Sequence, residues 1–139
     1  MTPTPLRRKV CAALFATALG ALAPMLTAHA QGYPAKPVQL VVPFPPGGAV
    51  DIVGRLISKK LGDQLGQPIV IENKGGAGTI VGASYVANAA ADGYTLLISS
   101  GSTFTVNPAL QPKLPYDPVK GFEPIGMVGR TGLVLLAHK

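Results

Sequence analysis

One turn of the sequence carries residue types that could bind an anion. Val41-Val42-Pro43-Phe44-Pro45-Pro46-Gly47-Gly48-Ala49-Val50-Asp51 joins an apolar, strand-like run to an amphipathic helical pattern. The two glycines leave the backbone bare where a helix N-terminus would expose unpaired amide N–H groups, and such groups bind anions. The turn lacks the pattern G-x-x-x-x-G-K-[ST], so no lysine is placed to hold a terminal phosphate. The sequence therefore predicts a site for a smaller anion, most simply a carboxylate.

Two further segments offer similar chemistry. Gly76-Ala77-Gly78-Thr79 is a second glycine-rich turn, and a loop rich in serine and threonine spans 99–107. A dinucleotide loop is disfavoured, because Gly82 follows Gly78 by four residues rather than three and no acid follows at the expected distance. Lys74 could contact an anion, but a solvated surface lysine is the simpler interpretation.

Hydrophobic periodicity places these segments at one edge of a sheet. Strands that alternate with helices imply a parallel α/β sheet with right-handed crossovers, and the simplest order puts the first strand in the centre. The three loops then lie at the carboxyl ends of the strands, where ligands of open α/β sheets bind. The predicted elements are strands over 38–43, 69–71, 94–99 and 133–137, helices over 49–65 and 80–90, and a further short apolar run over 125–128.

Several of these residues also have purely structural interpretations. Gly47 and Gly48 could simply permit a tight strand-to-helix turn. Asp51 lies in the predicted first turn of a helix, where the helix dipole stabilises a carboxylate. If Asp51 instead faced a ligand, it would favour an amino group and disfavour polyanions. Tyr85 and Tyr94 are predicted to be core residues.

The N-terminal residues predict an export signal. A positive segment at 7–9 precedes an apolar run over 10–26, and Ala28-His29-Ala30 supplies a cleavage motif before Gln31. A transmembrane anchor is the alternative, because the run approaches the shortest length that spans a bilayer. Glycine and proline within the run favour a signal peptide over 1–30, which is cleaved during export to the periplasm.

Removal of this signal changes the composition on which functional classes depend. The whole chain has a formal charge of +6 and a single cysteine, Cys11, which would leave with the signal, as would three of the cations. Disulfides and thiol catalysis are then excluded. The remaining cations are scattered without interleaved aromatic residues, so nucleic-acid binding is disfavoured, whereas mild positive charge suits anionic ligands.

The mature residues offer little for catalysis. They include one histidine, His138, no carboxylates paired at useful spacing, and no Ser–His or metal-ligand cluster. We therefore expect no enzyme activity, no metal and no cofactor. A Rossmann-like exported enzyme that has lost its catalytic half is the competing class.

A series of short motifs carries a resemblance to a known family. The motifs are Tyr33-Pro34 followed by Pro37, the turn over 41–48 with Asp51, Leu65-Gly66-Gln67-Pro68, Glu72-Asn73-Lys74, Gly76-Ala77-Gly78, Asp92-Gly93-Tyr94-Thr95-Leu96, Asn107-Pro108 and Leu114-Pro115-Tyr116-Asp117-Pro118. Each motif alone is weak, but their order and spacing together are specific. Over residues 33–138 the chain resembles the periplasmic substrate-binding receptors of tripartite tricarboxylate transporters, also called Bug receptors.

The resemblance implies a two-lobed receptor that closes over a small carboxylate and hands it to a membrane permease. This chain would form the first lobe of a type II periplasmic-binding-protein-like fold, an α/β fold of three layers with a mainly parallel sheet. The ligand would be a di- or tricarboxylate or a related organic acid, the protein partners would be the permease subunits, and the full-length receptor would be a monomer. The implied ligand-binding residues are Phe44, Pro45, Gly47, Gly48, Asp51, Gly76, Ala77, Gly78, Thr79, Ser100, Ser102 and Thr103.

The sequence departs from the family in these loops and in length. Gly75 stands where proline is usual, Thr79 where glycine is usual, and Val50 where a small hydroxyl residue is usual. Because family members are considerably longer, we expect residues 31–139 to be an incomplete first lobe, truncated before the second lobe, with the hinge near 130–139. Such a fragment would bind its ligand weakly, and a non-functional remnant of a receptor gene is a further alternative.

Overall fold

The computed structural model describes residues 32–130, 132 and 135–137 of the chain. The signal segment predicted over 1–30 lies outside these residues. Within the described part, no helix is both long and apolar enough to cross a lipid bilayer. The residues from Pro34 onward group into one unit, to which the following description applies.

Three parallel strands form an open sheet with the first strand in its centre. β1 (Val38–Val42) pairs with β2 (Ile69–Asn73) on one side and with β3 (Thr95–Leu97) on the other. The apolar run over residues 40–42 of β1 predicts burial on both faces of the sheet, and Val41 and Val42 have no exposed surface. The predicted α/β class and the predicted strand order are both confirmed.

The helix α1 (Ala49–Leu65) covers one face of the sheet and has the bounds that its periodicity predicts. It packs on a cluster formed by Leu40, Val42 and Ile98. Gly66 follows the helix in a left-handed conformation, and its N–H bonds to the carbonyl of the preceding turn. The helix therefore begins at the carboxyl edge of the sheet, directly after β1 and its turn.

The buried side of α1 differs from the prediction. The apolar periodicity of the sequence over 49–65 predicts that Ile52, Val53 and Leu56 face the core, but they are exposed by 52%, 37% and 66%. Asp51 and Gly54 are buried instead. Polar contacts explain the rotation of the helix. The Asp51 carboxylate accepts hydrogen bonds from the preceding turn and from the end of β2, and these bonds turn the Asp51 side of the helix inward.

The helix α2 (Ile80–Ala87) covers the opposite face and creates the third layer. Its close approach depends on Gly82, where a Cβ atom would lie 2.7 Å from both the Lys74 carbonyl oxygen and the Pro43 Cβ. The helix was predicted to reach residue 90, but it ends at Ala87. Asn88 supplies the end signal, since its side-chain amide donates to the Ser84 carbonyl oxygen at 2.8 Å.

The segment after β3 is helical rather than the loop that its polar composition suggested. A π-helical turn (Ser102–Val106) continues into the short helix α3 (Asn107–Leu110). Side-chain hydroxyls support the turn, since Thr105 donates to the Gly101 carbonyl oxygen at 2.6 Å. Proline at the start of α3 suits a first-turn position. The small polar residues of this segment therefore form a helical turn that their composition does not indicate.

Tyr116 anchors the proline-rich segment that follows α3. It is buried against Ile80 and Ala83 of α2, and its ring meets the Phe122 ring edge-on with centroids 5.8 Å apart. Over the described residues beyond Phe122, the chain carries apolar side chains without regular structure, and Ile125 is exposed by 83%.

The strand predicted over 133–137 is wrong for its described residues. Leu135 and Leu136 are exposed by 99% and 84% and belong to no strand. Within the described part of the chain, β3 pairs only with β1, so this apolar run lies against no neighbouring strand. Residues 133 and 134 lie outside the described residues.

Candidate functional site

Three loops meet at the carboxyl edge of the sheet, as the strand order predicts. The first loop (residues 43–48) follows β1, the second loop (residues 74–79) follows β2, and the third loop (residues 98–103) follows β3. The first two loops lie in contact, because a Cβ atom at Gly75 would come within 3.6 Å of the Phe44 carbonyl carbon. This edge is where open parallel sheets bind ligands.

The first loop delivers the backbone to an uncapped helix N-terminus. Gly48 precedes α1 in an extended conformation and provides no side-chain cap. The first helical hydrogen bond runs from the Ile52 N–H to the Gly48 carbonyl oxygen at 2.9 Å. The amides of Ala49 and Val50 come before that bond, so the helix itself gives them no acceptor. Bare amides and the helix dipole together favour an anion at this point.

The Asp51 carboxylate lies beneath the first loop rather than on its surface. The residue is 1% exposed, and Oδ2 accepts the Gly47 N–H at 2.8 Å and the Arg55 Nε–H at 2.9 Å. Oδ1 accepts the Asn73 Nδ2–H at 2.9 Å. The Arg55 hydrogen bond, followed by those of Gly47 and Asn73, holds the pKa of the Asp51 carboxyl far below its ordinary value. These contacts support the structural interpretation of Asp51.

Asn73 extends this network to the end of β2. Its Nδ2 also donates to the Phe44 carbonyl oxygen at 3.1 Å, and its Oδ1 accepts Arg55 Nη2 at 3.3 Å. The first loop, the first turn of α1 and the last residue of β2 are therefore joined by side chains. Sequence reasoning placed Asn73 in a motif but gave it no role.

The second loop contains three consecutive residues in the left-handed region. The φ angles are 45° at Ala77, 62° at Gly78 and 84° at Thr79. Glycine tolerates this region, whereas Ala77 and Thr79 each carry strain of about 1–3 kcal/mol, which persists only where surrounding contacts impose it. Residues 75–78 are exposed and three of the four are glycines, so a ligand can approach the backbone of this loop.

A buried polar network joins the second loop to the third. Thr79 Oγ1 and Thr103 Oγ1 lie 2.7 Å apart, and Ser99 Oγ lies 2.5 Å from Thr103 Oγ1. Asn107 Nδ2 donates to the Gly78 carbonyl oxygen at 2.8 Å, and the Tyr116 hydroxyl donates to the Thr103 carbonyl oxygen at 2.8 Å. Thr79 and Thr103, both expected to bind the ligand, therefore hydrogen-bond to each other below the loop surface.

The third loop presents two serines nearer to solvent. Ser100 and Ser102 are both half-buried, and the Ser100 hydroxyl donates to Ser102 Oγ at 3.1 Å. The Ser102 N–H returns a bond to Ser100 Oγ at 3.3 Å. In the first loop, Phe44 packs its ring on the core beside α1, while Pro45 is exposed.

The cations that flank the loops are both paired. Arg55 binds Asp51, and Lys74 forms an ion pair with Glu72 while its Nζ lies 4.2 Å from the centroid of the Tyr85 ring. The hydrogen bond that the Lys74 ammonium donates to the Glu72 carboxylate raises the pKa of Lys74. Tyr85 was predicted to lie in the core but is 42% exposed. Its ring contacts the Lys74 ammonium rather than an apolar neighbour. An anion at these loops would therefore meet chiefly backbone amides and hydroxyls.

The fold and the three loops define a class, an α/β lobe whose loops meet at the carboxyl edge of a parallel sheet. The sequence model of a protein family, described as the tripartite tricarboxylate transporter family receptor, matches residues 53–139. This match spans more than half of the chain, and the chain belongs to this family. The predicted family is thereby confirmed.

Individual relatives support the same assignment and show how much of a family member's length this chain covers. BugT of Bordetella pertussis is 44% identical over 126 residues, which cover 90% of this chain and 38% of BugT. MatC of Rhodopseudomonas palustris, solved with bound malate, is 48% identical with a TM-score of 0.64 and covers 66% of this chain and 31% of MatC. The periplasmic binding protein BugD is 41% identical with a TM-score of 0.56, over 68% of this chain and 31% of BugD. The chain thus spans about a third of the length of these relatives, and its fold is part of a periplasmic-binding-protein fold.

Proposed function

We propose that the protein is the solute-binding receptor of a tripartite tricarboxylate transporter and that the three loops hold one carboxylate group of a small organic acid. The observation that carries the proposal is the uncapped N-terminus of α1 at the carboxyl edge of the sheet. Membership of the receptor family and the malate bound to MatC support it. The protein would bind its ligand and transform nothing.

The paired cations favour a carboxylate over a polyanion. Arg55 and Lys74 are neutralised by Asp51 and Glu72, so the site offers partial charges from amides and a helix dipole. A single carboxylate oxygen pair matches a few converging N–H groups, and charge-assisted hydrogen bonds of this kind each contribute about 1.5–3 kcal/mol. A triphosphate would require cations that are free to bind it.

The candidate residues divide into two groups by their position. Those on the loop surfaces would contact the ligand, and those below would hold the loops in place. The first group is Pro45, Gly47, Gly48, Gly76, Ala77, Gly78, Ser100 and Ser102, together with the backbone of Phe44, whose ring packs on the core. The second group is Asp51, Thr79 and Thr103.

Localisation and partners follow from the same proposal. The signal segment over 1–30 would direct export to the periplasm, and residues 31–139 would belong to the first lobe, with the hinge near 130–139. The receptor would then deliver its ligand to the membrane permease subunits. Intact mass of the exported product should identify Gln31 as its first residue, whereas a membrane-held product that retains the segment would contradict export by a cleaved signal.

Calorimetry with malate on the full-length protein tests the proposed function. The informative variant is Gly48→Val, because Gly48 has an ordinary extended conformation and a Cβ atom there meets only the Pro45 carbonyl oxygen at 3.5 Å. The branched side chain should obstruct the amides of α1 and weaken binding at least tenfold, about 1.4 kcal/mol. Gly78→Val is less informative, since valine is strained at a φ of 62°.

Gly126→Val is the matched control, because a Cβ atom at Gly126 has no neighbour within 4 Å and the residue lies beyond the sheet. It should leave the affinity unchanged. Failure of the unmodified protein to bind malate and other small di- and tricarboxylates would contradict the proposed function. Unchanged affinity in a folded Gly48→Val variant would contradict the assignment of the site.

A further inference from the structure

Asn107 connects the third loop region to the backbone of the second loop. It stands at the first position of α3 and is only 7% exposed. Its side-chain amide reaches a residue 29 positions earlier in the chain, the Gly78 carbonyl oxygen, at 2.8 Å. Asn107 was not among the predicted site residues.

The contacts of Asn107 use its donor group throughout. Besides Gly78, Nδ2 lies 3.2 Å from Thr79 Oγ1 and 3.4 Å from the Tyr116 hydroxyl oxygen. The Tyr116 hydroxyl in turn bonds to the Thr103 carbonyl oxygen, which fixes the π-helical turn directly before Asn107. The Asn107 side-chain amide therefore contacts Tyr116 on one side and holds the Gly78 carbonyl of the second loop on the other.

The second loop needs such a contact because its conformation is not favoured by its residues. Ala77 and Thr79 lie in the left-handed region at φ angles of 45° and 84°. Conformations of this kind persist where neighbouring groups over-determine them, and they cluster at ligand-binding segments. Loss of the Asn107 amide would leave the Gly78 carbonyl without its partner and would free the two strained residues to relax.

We propose that Asn107 is a positioning residue for the carboxylate site, which fixes the left-handed conformation of residues 77–79 and thereby aims the exposed amides of the second loop at the ligand. The inference rests on the proposed function for its ligand. It requires asparagine in particular, because an aspartate of the same shape has no N–H to donate and would set a carboxylate oxygen against the Gly78 carbonyl oxygen.

The test compares Asn107→Asp and Asn107→Ala with the unmodified full-length protein in malate calorimetry. Asn107→Asp preserves the side-chain volume, so the contact is lost in a chain that keeps its packing. Both variants should bind malate at least tenfold more weakly. Asn88→Asp is the matched control, because the Asn88 amide also donates to a backbone carbonyl at 2.8 Å but lies at the exposed end of α2. It should bind like the unmodified protein.

Two readouts distinguish positioning from a general loss of stability. One-bond Cα–Hα couplings report the sign of φ, and those of Ala77 and Thr79 should change in the Asn107 variants but not in Asn88→Asp. Adding Ala77→Gly to Asn107→Ala should recover part of the affinity, because glycine takes a φ of 45° without strain while no buried contact is altered.

The possible outcomes separate the two proposals. If the unmodified protein binds none of the carboxylates, the proposed function fails, while the couplings still decide whether Asn107 fixes the loop. If malate binds and the Asn107 variants retain the affinity and the couplings of the unmodified protein, the positioning role is wrong. Weakened binding with unchanged couplings and no rescue by Ala77→Gly would also overturn it.

Discussion

The Oδ2 atom of Asp51 accepts the backbone N–H of Gly47 at 2.8 Å, so the carboxylate closes the turn that precedes its own helix. The same oxygen accepts Arg55 Nε–H, and the other oxygen accepts Asn73. The acid that could have faced the ligand therefore organises the loop that would bind it. The amides of Ala49 and Val50 precede the first helical hydrogen bond, and the proposed function assigns them to the ligand carboxylate.

Capping these amides from within the protein should weaken ligand binding. In Gly48→Ser, a serine oxygen at the N-cap would accept an N–H of the first helical turn, an interaction worth only a few tenths of a kcal/mol (~0.3) relative to glycine at the N-cap. We expect a higher Tm together with weaker malate binding, because the new oxygen competes with the ligand carboxylate. Thermal unfolding and calorimetry on the same sample measure the two effects, and tighter binding would contradict the proposed use of these amides.

Neutralising Asp51 should disturb both the loop and the fold. In Asp51→Asn, one carboxylate oxygen becomes an N–H₂ group that faces a donor, and Arg55 loses its charge partner. We expect a lower Tm and weaker malate binding. Asp63→Asn is the control on the same helix, because Asp63 is exposed and should tolerate the change. Equal Tm values for the two variants would show that the Asp51 network contributes nothing to stability.

Acid should remove the contribution of Asp51 to stability. Hydrogen bonds from Arg55, Gly47 and Asn73 lower its pKa from an ordinary 3.8, so the folded state holds the proton less tightly than the unfolded chain. The stabilisation is complete above the ordinary pKa and declines as the pH falls below about 4 toward the lower folded-state pKa. Thermal unfolding over this range should show a shallower slope for Asp51→Asn than for the unmodified protein. Parallel slopes would contradict the assignment.

Two glycines that face the sheet should respond oppositely to alanine. A Cβ atom at Gly54 meets side chains at 3.5–3.9 Å, which is ordinary contact, whereas at Gly82 it lies 2.7 Å from a backbone oxygen. Gly54→Ala should stabilise the helix by up to about 1 kcal/mol. Gly82→Ala should destabilise the protein by about 1–3 kcal/mol, because α2 must move away from β1. Urea unfolding of both variants checks the signs, and a stabilised Gly82→Ala protein would show that α2 packs differently.

Lys74 should contribute little to binding. Its ammonium is already paired with Glu72 and lies over the Tyr85 ring. We expect Lys74→Ala to leave the malate Kd unchanged within about twofold. We also expect the malate Kd of the unmodified protein to vary little with salt, since backbone amides carry no net charge. A large loss of affinity on this substitution would show that Lys74 contacts the ligand directly.

Much of the fold is predictable because its signals are local and repeated. The bounds of α1 follow from its periodicity, and the central place of β1 follows from its predominantly apolar sequence and from the connection rules of parallel sheets. The rotation of α1 was not predictable, because hydrophobicity alone assigns Ile52 to the core. The burial of Asp51 depends on Asn73, which is 22 residues away in sequence.

The three loops of the candidate site were predicted from the sequence, but the hydrogen bonds that hold the loops together were not. Glycines marked the first two loops, but the hydroxyl residues after β3 belong largely to a helical turn that was predicted as a loop. Nothing local in the sequence shows that Thr79 is left-handed and buried against Thr103, since this pair is separated by 24 positions. The one available signal for Asn107 was its presence in the motif Asn107-Pro108, which suggested importance without a role.

The most direct test of the central proposal is a crystal structure of the full-length protein with malate. We predict that one malate carboxylate lies at the N-terminus of α1, with an oxygen about 2.7–3.2 Å from the amide nitrogen of Ala49 or Val50. The exposed amides of the second loop should approach the same carboxylate. A malate bound away from these loops, or held mainly by lysine or arginine side chains, would contradict the backbone site.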